Sequence, residues 1–85
     1  MKIIYAPTFV RKYKRLPPEL REEAKEKISL FTEDPNHPFL KLHKLKGNLK
    51  NRWSFSINYQ YRIVCRYTQN GDVEFLTIGD HDIYR

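Results

Sequence analysis

The pattern of hydrophobic and polar positions changes its period twice along the chain. Lys2 to Tyr5 reads as a short strand that Ala6-Pro7 stops. Thr8 then suits the cap of a helix running to about Arg15, on which Phe9, Tyr13 and Leu16 form an i, i+4, i+7 stripe. Pro17-Pro18 breaks that helix, and Pro18 fits the first turn of a second one. Leu20, Ala24, Ile28 and Phe31 fall on one face of the second helix, which ends by Asp34-Pro35. Glu19, Glu22 and Glu23 sit near its positive N-terminal end, and Glu23 with Lys27 has pairing distance at i, i+4.

Beyond residue 52 the period falls to two. Trp53, Phe55 and Ile57 alternate with Ser54, Ser56 and Asn58; Tyr61 to Tyr67 is β-branched and aromatic; Val73 to Ile78 is apolar except at Glu74 and Thr77. Asn58-Tyr59-Gln60 and Asn70-Gly71 separate these three runs as turns, the second the stronger because both of its residues tolerate positive φ. The order is β-α-α-β-β-β. This is an α+β domain spanning residues 1–85, with a helical hairpin on one face of a three-stranded antiparallel meander. Residues 36–52 are left as a long connection, a kind of segment that often carries function.

Charge separates the two halves. Residues 19–34 hold six acids and three bases, whereas residues 35–71 hold seven bases and no acid: Lys41, Lys44, Lys46, Lys50, Arg52, Arg62 and Arg66. With a net charge of +6, that acid-free stretch is a surface suited to nucleic acid. A composition of 40% hydrophobic and 14% aromatic residues excludes a disordered tail. The lone Cys65 cannot close an internal disulfide and reads as a small core residue, which fits the reducing cytoplasm. No run is long enough to span a membrane, and the first residues turn polar too quickly for a secretion signal.

Phosphate-binding glycine loops and paired-cysteine motifs are absent, and His37, His43, His81 and Cys65 lack zinc spacing. Neither a metal nor another cofactor is expected. What remains is a set of nitrogen bases and one phenol: His43, Lys44, Lys46, Arg52, Arg62, His81 and Tyr84. Each alone has an ordinary structural explanation. Together they suit metal-free RNA cleavage, which needs a base for the 2′-hydroxyl proton, a cation at the phosphate and an acid for the leaving 5′-oxygen.

Four segments carry a resemblance that covers nearly the whole chain. They are Leu42-His43-Lys44-Leu45-Lys46-Gly47-Asn48-Leu49-Lys50, Trp53-Ser54, Tyr61-Arg62-Ile63-Val64 and Ile78-Gly79-Asp80-His81-Asp82-Ile83-Tyr84. In these the sequence resembles the RelE/ParE superfamily of type II toxins, in particular its messenger-RNA-cleaving, YoeB- and YafQ-like branch. The resemblance implies His43 as general base, Arg62 as phosphate clamp, His81 as general acid and Tyr84 as the aromatic that stacks on or orients substrate. Lys44, Lys46, Lys50, Arg52 and Arg66 would contact the RNA backbone. It also implies mRNA cut at the ribosome to 2′,3′-cyclic phosphate and 5′-hydroxyl ends, and an acidic antitoxin as partner. Where RelE itself carries two lysines, this chain has Trp53 and Phe55, so the paired-histidine form of the chemistry is the one expected. Two alternatives stay open: a ParE-like inhibitor of DNA gyrase, and a non-catalytic RNA- or antitoxin-binding module.

Overall fold

The computed structural model describes residues 1–47 and 51–80. Eight elements follow in order: strand β1 (Ile3–Tyr5), helices α1 (Pro7–Lys14) and α2 (Pro18–Glu33), a single 3-10 turn (Pro38–Leu40), and strands β2 (His43–Lys44), β3 (Trp53–Ser56), β4 (Arg62–Tyr67) and β5 (Val73–Gly79). The strands form one sheet in the order β1-β5-β4-β3-β2. The expected meander is its centre, with β2 to β5 antiparallel in succession and β1 joining β5 in parallel at the far edge.

The helix starts differ slightly from expectation. Ala6, not Thr8, occupies the N-cap of α1, and no side chain caps it; Pro7 takes the first helical position, where its fixed φ and missing N–H cost nothing. Thr8 lies inside the helix and its hydroxyl accepts from Arg11 instead. Arg21 of α2 reaches back to satisfy the Leu16 and Lys14 carbonyls beyond and at the end of α1, at 2.8 and 3.3 Å, which ties the hairpin together. Glu23 faces the sheet and accepts from the Asn58 amide at 3.4 Å, so the surface pair on α2 is Lys25 with Glu22 and not Lys27 with Glu23.

The core lies between the helices and one sheet face. Phe31 of α2 stacks on Phe55 with ring centroids 4.6 Å apart and meets Phe75 edge-on, while Phe9 of α1 packs on Phe75 at 5.5 Å. Leu20, Ala24, Leu40, Ile57, Ile63, Cys65, Val73 and Ile78 complete it. Burial pushes the Cys65 thiol up to about 12, so it stays protonated and inert. Trp53 and Phe55 both belong to this helix-facing side of the sheet.

Two connections are more structured, or differently structured, than the sequence suggested. The 36–52 connection carries the 3-10 turn, which buries Leu40, and the edge strand β2. In the β4–β5 hairpin only Gly71 has positive φ (+83°); Asn70 does not. The Gly71 N–H donates to the Thr68 carbonyl, so the reversal occupies Thr68 to Gly71 and ends in a left-handed glycine. A bulge between Val64 and Cys65 follows within the same strand pair.

Candidate functional site

Strand register places the candidate residues. Side chains directly opposite one another across a sheet share a face, and those two apart along a strand share it too. His43 pairs with Ser54, Ser54 with Val64 and Val64 with Thr77, forming one row on the face away from the helices. Ser56, Arg62 and Gly79 form the adjacent row on that same face. Sheet geometry sets the Cα atoms of His43 and Arg62 about 12 Å apart, two strands across and one row along. A phosphodiester and the two side chains fit that span.

Arg62 leans from β4 over β3, toward the edge that carries His43. Its Nη1 donates to the Ser56 hydroxyl and, at 2.8 Å, to the Asn58 carbonyl. Among the described residues Nη2 and Nε have no partner. The guanidinium is thus tethered at one corner, and no described residue engages the rest of its fork, whose planar geometry suits an anion such as phosphate. Asn58 is itself fixed, because its side-chain oxygen accepts from the Gln60 and Tyr61 N–H groups at 2.9 and 2.8 Å.

His43 is exposed at the sheet edge, and its Nδ1 lies 3.0 Å from the Lys41 carbonyl oxygen. A carbonyl can only accept, so Nδ1 carries a proton, and in the neutral ring the lone pair is then on Nε2. That tautomer is the one a general base needs. The carbonyl is brought there by a left-handed turn at Lys41, whose φ is +51°.

The remaining expected residues separate into three groups. Lys44 pairs with Trp53, so it projects from the opposite side of the sheet to His43 and Arg62. Lys46 is exposed and Arg52 half-buried on the connection to β3, held there by the Leu45 N–H donating to the Arg52 carbonyl. Arg66 is already paired with Glu74, opposite it on β5, at 2.7 Å, so its charge is answered within the sheet. Lys50, His81 and Tyr84 lie outside the described residues. Ser56, Asn58 and the Lys41 carbonyl were not singled out by sequence, since a serine, an asparagine and a backbone carbonyl carry no recognisable motif.

Among the described residues no group of three or more His, Cys, Asp or Glu side chains is arranged to hold a metal, and no helix is long and apolar enough to cross a membrane. A family model described as "ParE toxin of type II toxin-antitoxin system, parDE" matches residues 3–83. The chain belongs to this toxin family. No curated protein matches it significantly in sequence. Its fold is shared with solved structures of the RelE/ParE superfamily. A YoeB/ParE toxin from Agrobacterium tumefaciens is 22% identical with a TM-score of 0.78, covering 95% of this chain and 99% of its own. YafQ from Escherichia coli is 16% identical with a TM-score of 0.80, covering 98% and 96%. The toxin–antitoxin complex RelBE2 from Mycobacterium tuberculosis matches at 18% identity and a TM-score of 0.77, covering 94% and 96%. This ParE-family toxin therefore has the YoeB- and YafQ-like architecture from its first strand to its last.

Proposed function

We propose that this type II toxin is a metal-independent endoribonuclease that cleaves mRNA. The observation that carries the reading is the shared sheet face of His43 and Arg62, with His43 held in the tautomer that leaves Nε2 free. His43 Nε2 takes the 2′-hydroxyl proton, O2′ attacks the adjacent phosphorus, and Arg62 holds the phosphate as negative charge builds on its oxygens. The P–O5′ bond breaks, leaving a 2′,3′-cyclic phosphate, and His81 protonates the departing O5′. His81 follows Gly79, the register partner of Arg62, by two residues in sequence. Tyr84 supplies the aromatic surface that orients a base, and Lys46 and Arg52, with Lys50, attract the RNA backbone without reading its sequence, whereas Lys44, on the other face of the sheet, takes no part.

The place of action we propose is the translating ribosome, in the cytoplasm, where mRNA is read. An acidic antitoxin is the proposed partner, supported by the net charge of +6 and by the toxin–antitoxin assembly of the RelBE2 neighbour. A second reading, inhibition of DNA gyrase, is favoured by the ParE description of the matching family. Expression of the toxin and its Arg62→Ala variant separates the two. Loss of intact mRNA that depends on Arg62 supports the ribonuclease; intact mRNA with inhibited gyrase supports the other.

A further inference from the structure

A second feature lies beside Arg62, on the sheet edge that β2 does not cover. Phe39, on the 3-10 turn, is 70% exposed, and Tyr59, at the tip of the β3–β4 turn, is 86% exposed. Large aromatic side chains left this open on a small domain are available to a partner. Both line a single cleft of about 340 Å³, together with Glu23, Lys27, Lys41, Ser56 and Asn58. That volume is near the lower end of small-molecule sites, which run from roughly 300 to 1,000 Å³, and suits one nucleotide better than a duplex.

We propose that this cleft is a nucleobase site, in which Phe39 and Tyr59 receive a base of single-stranded RNA whose neighbouring phosphate is held by Arg62. This rests on the ribonuclease reading for the direction of the strand, while the base site itself rests on the cleft. Three features select this occupant. First, the cleft shares two residues with the phosphate clamp: Ser56 and Asn58 line it, and the same two residues accept the hydrogen bonds of Arg62 Nη1. Second, its charges suit a polyanion. Lys27 and Lys41 flank it, and its one acid, Glu23, is engaged by the Asn58 amide. Third, the aromatic walls are braced. The Phe39 ring stands edge-on against His37 with centroids 4.9 Å apart, and the Phe39 N–H donates to His37 Nδ1 at 3.1 Å. The turn bearing Tyr59 is closed by the Asn58 side chain. Stacking on such surfaces tolerates any base, because every base has a π-face. The left-handed turn at Lys41 thus has two effects, placing one wall of the cleft and directing a carbonyl to His43.

The test uses the whole protein and a short single-stranded RNA, 2′-O-methylated against cleavage and carrying one 2-aminopurine. Tyr59→Ala and Phe39→Ala should each weaken binding about tenfold, with Tyr59→Trp retaining it, and 2-aminopurine emission should be quenched in wild type but not in Tyr59→Ala. Because both side chains are so exposed, unchanged thermal melts should accompany these losses. Binding unaffected by either aromatic substitution yet abolished by Lys27→Gln and Lys41→Gln would overturn the base site, as would wild type that fails to bind the oligonucleotide. Cleavage of unmodified mRNA is scored separately. Base-dependent binding with no cleavage would overturn the ribonuclease reading and leave the base site standing; cleavage with no role for Phe39 or Tyr59 would do the reverse.

Discussion

The Nδ1–H of His43 donates to the backbone carbonyl of Lys41 at 3.0 Å, and Lys41 presents that carbonyl from a left-handed conformation. The bond fixes which ring nitrogen can act as a base. His43→Ala should lower cleavage by about 10² to 10⁴, the usual contribution of a positioned general base. Lys41→Gly, which adopts positive φ without strain, should keep activity, whereas Lys41→Pro, locked near −65°, should lose most of it with an altered pH–rate profile. Single-turnover cleavage across pH 5 to 9 measures all three.

Arg62 depends on its neighbours for aim. Ser56→Ala removes one of the two hydrogen bonds at Nη1 and should reduce cleavage while costing about 1 kcal/mol of stability. Arg62→Lys should behave nearly as Arg62→Ala, because an ammonium cannot present a planar fork to a phosphate. Cleavage rates beside urea-unfolding midpoints separate aim from stability.

Alkaline pH should unfold the protein through Cys65. Its thiol is raised by burial to about 12, and that of an unfolded chain titrates near 9.0, so the unfolded state loses its proton first. Stability from this source is complete below about pH 9 and is lost as pH climbs toward 12. Tyr67, also raised, chiefly by burial, acts in the same direction. Thermal melts between pH 7 and 11 should show the fall, and Cys65→Val should shrink it.

Phe31 joins α2 to both β3 and β5 through its contacts with Phe55 and Phe75, and it is fully buried. Phe31→Ala should cost about 3–5 kcal/mol, a large share of the roughly 5–15 kcal/mol that holds a small domain together. Calorimetry should find the variant unfolded at 37 °C or close to its midpoint there.

The helices and the three central strands were legible because each buries one face, and burial imposes a period on Phe9, Leu20, Phe31, Phe55 and Ile63 that survives in sequence. The joining of β1 to β5 was not legible, since parallel pairing of distant strands leaves no local mark. Strand β2 was missed because two residues are too few to alternate. The turn at Asn70-Gly71 was legible, but which of its residues takes positive φ was not, because asparagine tolerates that conformation without requiring it and only Gly71 adopts it. Within the candidate site, His43 and Arg62 were legible as chemistry, yet only register puts them on one face and Lys44 on the other. The pairing of Arg66 with Glu74 was hidden for the same reason: eight residues apart in sequence, they meet only across a hairpin.

Joint action of His43 and Arg62 on an RNA phosphodiester is open to primer extension and end-group analysis of an mRNA in a translating extract containing chelator, comparing wild type with Arg62→Ala and His43→Ala. Wild-type cuts should bear 2′,3′-cyclic phosphate and 5′-hydroxyl ends, be undiminished by chelator and be lost in both variants. Cuts of equal intensity in all three proteins, or an mRNA left whole by the wild type, would contradict that joint action.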